Sequence, residues 1–263
     1  MKHLFEDLKK IRYILAQAYI MLFLDYDGTL VPIVESPDKA VMPEEIKGVL
    51  VELSKAPKCK IAIVSGRSLK DIKNIVGLSN ILYVGNHGLE AEGGGIKFES
   101  PVSWKYKTIL STIKNNLNKK LSLICGAFVE DKGLSLAVHY RRTDKKFMPL
   151  VKAIFREATA KYLAKKEIKI RRGKMVLEVR PPIKWDKGRI ILWFLTRARF
   201  QAKGRSVMPI YMGDDATDED AFSALKGRGL TIFVGRPRKS SAEYYLKNTG
   251  EVKKFLKMIL AEK

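Results

Sequence analysis

IMLFLDYDGTL, residues 20–30, is the most informative stretch of the chain. Its opening run, Ile20 to Leu24, is apolar at every position and leads into two aspartates separated by one residue. An apolar run without polar alternation marks a strand buried on both faces, as in a parallel sheet. Side chains alternate along a strand, so Asp25 and Asp27 point the same way if the extended geometry continues that far. Gly28 then lets the backbone turn away. Paired carboxylates are therefore expected at the carboxyl end of a buried strand, where open α/β sheets carry their ligands. Burying two like charges is unfavourable unless a cation or a proton neutralises them. The segment asks for a metal ion or an acid–base role. Its rivals are an ordinary Asp/Gly turn and a calcium loop. The calcium loop fails on spacing, because it needs glycine at its sixth position and Gly28 is the fourth residue from Asp25.

Four further apolar runs have strand character, at 60–64, 81–84, 207–212 and 230–234, and helical spacing covers 43–53 and 69–76. Strands alternating with helices predict an α/β fold, a Rossmann-like parallel sheet covered on both faces. AEGGGI at 91–96 reads as a tight hairpin turn, since it lacks the spacing of a phosphate loop. From about residue 101 the pattern changes. Helical stretches at 104–117 and 147–164 are each followed by strands, and Leu134, Leu136, Val138 and Tyr140 alternate with Ser135, Ala137, His139 and Arg141. Such alternation predicts a sheet with one packed and one open face. Residues 101–181 are thus expected to form an inserted α+β module, with 1–100 and 182–263 as the core. Pro181-Pro182 marks the return, because neither residue can continue a strand ladder.

Composition sets limits. The chain has 263 residues, 46% of them hydrophobic, enough for a large core plus a module. No apolar stretch reaches the ~20 residues that span a bilayer. MKHLFEDLKKIRYILAQ, with Leu4, Leu8, Ile11 and Leu15 at helical spacing, reads as an amphipathic helix rather than a signal peptide. A cytoplasmic location is expected. The two cysteines, Cys59 and Cys125, lack metal-ligand spacing and are expected to be buried free thiols. With three histidines and no clustered pair, zinc is not expected. The net charge of +22 admits nucleic-acid binding or a basic surface that favours anionic small substrates. Basic residues are dispersed in pairs, with no nucleic-acid motif, so the second reading is preferred.

Three other segments carry chemistry. SGR at 65–67 follows a strand, so Ser65 lies at a carboxyl end and the helix starting near Ser68 can present amides to an anion. The alternative is that Ser65 or Ser68 merely caps that helix. IYMGDDATDED at 210–220 places five acids in seven residues after Gly213. Asp214 is assigned function, Asp215 a supporting part. Asp218, Glu219 and Asp220 are mostly explained as first-turn acids of a helix capped by Thr217. WDKGR at 185–189 precedes an apolar helix over 190–200, and Lys187 there could neutralise a nucleophile and a phosphate. A surface lysine at a helix start is the plainer alternative.

Taken in order, DYDGT, the strand ending in Ser65, Lys187 and GDDATDED resemble the haloacid dehalogenase-like (HAD) phosphohydrolases. SGR, GNHG at 85–88, GKMVLEVRP at 173–181 and WDKG are more particularly similar to trehalose-6-phosphate phosphatases. The resemblance implies a HAD core with an inserted cap domain and hydrolysis of a sugar phosphate. It implies Asp25 as nucleophile, Asp27 as general acid–base, and Mg²⁺ held by Asp25, the Asp27 carbonyl and Asp214. Ser65, Gly66, Arg67, Thr29 and Lys187 would bind phosphate. Glu130, Lys132, Arg141, Lys174 and Glu178 fall on cap positions that bind the sugar, with Lys174 and Glu178 read as sharing the polar face of one strand. Asn86 and His87 would shape the loop near the site, Asp215 and Asp218 would support it, and His139 reads as a satisfied strand residue. A trehalose-phosphate synthase is the implied partner. Alternatives are other capped sugar phosphatases acting on mannosyl-3-phosphoglycerate, sucrose phosphate or glucosylglycerol phosphate, or a nucleic-acid binder on the same scaffold.

Overall fold

The computed structural model describes residues 1–35, 39–201 and 206–263. The chain divides into two compact units, Met1–Glu99 with Trp185–Lys263, and Ser100–Lys184. The segment between those limits is three residues longer at its carboxyl side than Pro181-Pro182 suggests. The loop through Pro181 and Pro182 still belongs to the inserted unit, where Ile183 O accepts a hydrogen bond from Lys169 at 2.8 Å.

The first unit begins with β1 (Lys2–His3), a 3-10 turn over Leu4–Asp7, and α1 (Leu8–Gln17). The expected single N-terminal helix is therefore shorter than its stripe. Lys2 and His3 pair in parallel with Tyr244 and Tyr245, which fixes extended backbone before the helix can start. Leu4, Ile11 and Leu15 are buried all the same. There follow β2 (Tyr19–Leu24), α2 (Glu44–Lys55), β3 (Cys59–Val64), α3 (Leu69–Val76), β4 (Leu82–Gly85), and a hairpin of β5 (Glu90–Gly93) and β6 (Ile96–Glu99). The AEGGGI segment makes that hairpin turn, as its glycines predict.

The inserted unit comprises α4 (Trp104–Leu121), β7 (Phe128–Asp131), β8 (Leu136–His139), α5 (Met148–Ala164), β9 (Lys169–Gly173) and β10 (Val176–Arg180). The chain then completes the first unit with α6 (Lys187–Gln201), β11 (Val207–Gly213), α7 (Glu219–Leu225), β12 (Leu230–Val234), β13 (Tyr244–Leu246) and α8 (Thr249–Ala261).

The first unit's sheet runs β1-β13-β12-β11-β2-β3-β4-β5-β6 and is parallel from β1 to β4. Strand alternation divides its core into two layers. Ile20, Leu22, Leu24, Ile61, Ile63, Ile210 and Met212 face the layer shared with α1, α2, α3 and α8. Met21, Phe23, Ala62, Val64 and Tyr211 face the layer shared with α6 and α7. Burial on both sides explains the unbroken apolar runs, each large side chain contributing about 1.5–3 kcal/mol. β2 lies between β3 and β11, and successive connections leave it in opposite directions. That is a switch point, where the loops at the strands' carboxyl ends part and leave a crevice.

The inserted unit has an antiparallel sheet ordered β7-β8-β10-β9. Leu136, Val138, Leu177 and Val179 pack on Ile109, Ile113, Val151 and Phe155 of α4 and α5. The opposite face carries Phe128, Glu130, Ala137, His139, Glu178 and Arg180, as register pairs Phe128↔His139, Glu130↔Ala137 and Ala137↔Glu178 require. Cys59 is buried, whereas Cys125 is exposed, against expectation, in the loop between α4 and β7. Among the described residues, no helix is long and apolar enough to cross a membrane.

Candidate active site

Three neighbouring strand ends supply the site. Asp25 follows β2, Ser65 follows β3, and Asp214 follows β11. The Asp25 amide donates to Met212 O at 2.9 Å and the Ser65 amide to Val84 O at 2.9 Å, so both residues are held by extensions of the ladder. Asp25, Ser65 and Asp214 are all buried. Two glycines make the carboxylates fit. A Cβ on Gly28, whose φ is +95°, would stand 2.3 Å from Asp214 Cγ, and one on Gly213 would stand 2.3 Å from Asp218 Cγ. The glycines of DYDGT and GDD are thus spaces occupied by acid groups, and the ordinary-turn reading does not account for that.

Lys187 opens α6 and reaches into this group. Its Nζ lies 2.6 Å from Asp25 Oδ1 and 2.7 Å from Asp218 Oδ1, with its side chain 2% exposed. The plainer expectation of a surface lysine is excluded. Asp218 is the main correction to the sequence reading. It occupies the position before α7 without capping it, and Thr217 is not the cap either. Its Oδ1 also accepts from Tyr211 Oη at 2.6 Å, and its Oδ2 from the Asp215 amide at 2.8 Å. Tyr211 was not legible as a site residue, because an aromatic inside an apolar strand looks like core. Asp215 is half-buried and its own carboxylate accepts from the Ala216 amide at 2.5 Å.

The electrostatics follow from burial. Burial pushes Asp25 well above the usual carboxylate range; Lys187 opposes this, while Asp218 and Asp214 add to it. Burial also acts upward on Asp218, but Lys187, Tyr211 and the Asp215 amide outweigh it and hold that carboxyl below its ordinary value. Burial disfavours the Lys187 charge, yet Asp218 and Asp25 more than restore it, and its pKa is raised. Asp218 is therefore the firm counter-ion of Lys187, and Asp25 is the carboxylate in need of more positive charge.

Asp25, Asp214 and Asp218 can bring one oxygen each within 4.8 Å of one another. Three carboxylates against one ammonium leave a negative excess, and an all-oxygen donor set suits a hard divalent cation. Thr29 Oγ1, fully buried beside this group in sequence, has no hydrogen-bond partner among the described residues. The residues present thus fit a cation and an anionic ligand.

Arg67 departs from its expected place on phosphate. Its guanidinium forks onto Asp27, Nε to Oδ2 and Nη2 to Oδ1 at 2.8 Å each, and Nη1 reaches Asp71 at 2.9 Å. It also lies 5.5 Å from the Tyr26 ring centroid. A bidentate Arg–carboxylate pair is the strongest such geometry, so the Asp27 side chain faces Arg67 and is not among the clustered metal-binding acids. Asp71 went unread; it is simply four residues along from Arg67, one helical turn away. The expected anion site at the start of α3 is filled from within. Ser68 Oγ accepts from the Asp71 amide at 3.1 Å, and Glu90 Oε2 accepts from Leu69 at 3.3 Å. Gly66 lies against the His87 ring. Asn86 and His87 have φ of 49° and 54°, left-handed values uncommon outside glycine that Asn and His tolerate better than most residues. Their amides donate to Arg67 O at 2.7 Å and Ser65 O at 2.9 Å, tying the GNHG loop to SGR.

In the inserted unit the structure brings Glu130, Lys132 and Glu178 together. Lys132 Nζ is 3.3 Å from Glu178 and 4.0 Å from Glu130, and Arg180 Nε is 3.8 Å from Glu178. Lys174 is not on the strand with Glu178. It occupies the turn between β9 and β10, where Met175 has φ 66°, and its carbonyl accepts from exposed Arg141 at 3.1 Å. Alternation continued two residues past the start of β10 places it wrongly. His139 is satisfied, as expected, by Glu130 at 2.7 Å.

Neighbouring strand ends that carry Asp25, Ser65 and Asp214, with a buried ammonium on Asp25 and Asp218, in a doubly wound sheet interrupted by an α+β insertion, define a HAD-like fold. The resemblance read from DYDGT and GDDATDED holds at the level of fold. A trehalose-phosphatase family model matches residues 23–249, and the chain belongs to that family. It is 37% identical over 253 residues to trehalose-phosphate phosphatase B of Arabidopsis thaliana, covering 92% of this chain and 66% of that protein. It is 38% identical over 248 residues to probable trehalose-phosphate phosphatase 4 of Oryza sativa subsp. japonica, covering 90% and 65%. The chain thus spans slightly under two thirds of the length of these relatives. A crystal structure of a trehalose-6-phosphate phosphatase related protein superposes with a TM-score of 0.76 at 27% identity, covering 92% of this chain and 97% of that one.

Proposed function

We propose that the protein is a Mg²⁺-dependent phosphatase that hydrolyses trehalose 6-phosphate through an aspartyl-phosphate. The observation that carries this reading is Asp25, buried at a switch-point strand end, 2.6 Å from Lys187 and within ligand reach of Asp214. Mg²⁺, held by Asp25, Asp214 and the Asp27 carbonyl, would supply charge neutralisation for the phosphoryl group and for the acids themselves. An Asp25 oxygen attacks phosphorus and the bond from phosphorus to the sugar oxygen breaks, splitting one difficult hydrolysis into two steps. Asp27 gives the leaving oxygen its proton, then takes one from the water that cleaves the aspartyl-phosphate. To do so Asp27 turns from Arg67, and its side chain, 42% exposed, has the freedom to turn. Lys187 and Ser65 hold phosphoryl oxygens, and Thr29 joins them in this reading, which its buried, unpartnered hydroxyl supports.

Glu130, Lys132, Glu178, Arg141 and Lys174 are the sugar-reading residues in this proposal, with the inserted unit as specificity cap. Supply of the substrate by a trehalose-phosphate synthase, and a cytoplasmic setting, belong to the same reading. A panel of phosphorylated sugars assayed for Mg²⁺-dependent phosphate release tests it. Preference for trehalose 6-phosphate is expected. Release from another sugar phosphate alone would move the substrate, and steep salt-dependent nucleic-acid binding without any release would overturn the enzyme.

A further inference from the structure

Phe128 is exposed, 41% by surface, at the start of β7. A single exposed aromatic needs no explanation on its own. Its surroundings supply one. Phe128 is directly opposite His139, and the two rings stack at 4.7 Å with an interplanar angle of 13°. The next pair on the same face is Glu130 and Ala137, and Ala137 is also opposite Glu178. One row of the sheet therefore sets an aromatic stack, and the next sets two carboxylates on either side of an alanine. Successive same-face rows are about 6.6 Å apart, on the order of one sugar ring. His139 joins the rows, its Nε2 2.7 Å from Glu130. On the far side of the aromatic row, beyond the Gly173↔Val176 pair, stand Lys174 and Arg141.

We propose that Phe128, backed by the His139 ring, is a platform for the apolar face of a sugar ring whose hydroxyls are read by the flanking acidic and basic side chains. This rests on the proposed sugar-phosphate activity and names Phe128, which neither the sequence motifs nor the ion pairs single out. A pyranose is polar around its edge and carries C–H groups on its faces. An aromatic ring has a negative face and packs against such groups, while edge hydroxyls need charged or hydrogen-bonding partners. The stack supplies the first, and the carboxylate row on one side with the basic turn residues on the other supplies the second. The alternating β-pattern conceals all of this, because a phenylalanine at a strand start reads as one more core residue.

The test compares kcat/KM for trehalose 6-phosphate with that for acetyl phosphate, which has no ring to stack, in the full chain. Phe128→Ala should lower the ratio about tenfold, the loss falling on KM, and His139→Ala about threefold. Phe128→Trp should restore the ratio to within about twofold of the parent, because a ring of any identity serves as platform. An unchanged ratio in Phe128→Ala, with the parent turning over trehalose 6-phosphate, overturns the platform alone. Equal loss on both substrates, unrelieved by tryptophan, assigns Phe128 to stability and also overturns it. If the parent releases no phosphate from any sugar phosphate, the proposed activity and the platform fail together.

Discussion

Each unit holds a lysine between two carboxylates, and the two arrangements differ in how tightly they are built. Lys187 is 2.6 Å from Asp25 and 2.7 Å from Asp218, and all three side chains are at most 8% exposed. Lys132 is 3.3 Å from Glu178 and 4.0 Å from Glu130, whose side chain is 27% exposed. The first is a short, buried triad that fixes a charge where it is costly to place one. The second is longer, and although Lys132 and Glu178 are almost as buried, at 10% and 8%, Glu130 opens it to the surface. The difference teaches that short contacts among fully buried groups make a rigid charge cluster, whereas longer contacts and one exposed acid leave the other cluster looser.

The sharpest way to break that contrast is Asp25→Asn. The amide oxygen still accepts from Lys187, so folding should persist, whereas turnover should fall at least about 10³-fold. Normal turnover in the variant would remove Asp25 as nucleophile and with it the distinction between the units. Stripping divalent metal with a chelator should likewise abolish phosphate release and Mg²⁺ should restore it, because three clustered acids otherwise repel. Full activity in rigorously metal-free buffer would show that Lys187 neutralises the site alone. Lys187→Met should cost about 3–5 kcal/mol in stability, read by urea denaturation, since it leaves buried carboxylates without their ammonium. A loss below about 1 kcal/mol would mean the triad is not the rigid anchor described.

How far these residues were legible varies with what buries them. The parallel strands announce themselves because both faces are covered, which leaves unbroken apolar runs such as Tyr19–Leu24. Asp25, Asp214 and Lys187 follow from strand ends and a helix start. Asp218 was underrated because a first-turn acid has a sufficient local explanation in the helix dipole, and only tertiary contact shows Lys187 and Tyr211 on it. The carboxylate partners of Arg67 are hidden for the converse reason. A cation beside a proposed phosphate site suggests phosphate, and its partners Asp27 and Asp71 become visible only when two loops meet. Lys174 went astray where a hairpin turn interrupts alternation. The basic residues, read as dispersed, concentrate in the inserted segment, where residues 100–184 hold 21 Lys and Arg against 6 Asp and Glu. That excess sets up a positive field around the inserted segment without forming any motif.

The looser half of the comparison predicts smaller, substrate-dependent effects. Glu178→Ala should lower kcat/KM for trehalose 6-phosphate by about 10–100-fold, the cost of unpairing a hydroxyl reader, and a small aryl phosphate far less. Equal losses would make Glu178 a structural ion-pair member with Lys132 and Arg180.

The smallest effect comes from a lysine that distance alone cannot tell from Lys187. Lys120 Nζ is 2.6 Å from Glu157, as close as Lys187 is to Asp25, but these side chains are 35% and 67% exposed. Water screens the attraction, and the two long side chains lose freedom on pairing, so Lys120→Ala should change stability by no more than about 1 kcal/mol. Urea denaturation of this variant beside Lys187→Met compares two contacts of equal length in opposite surroundings. If burial is what gives the triad its strength, the two losses differ severalfold. Similar losses would show that contact length governs both pairs, and burial would then not explain what sets the triad apart from the looser Lys132 cluster.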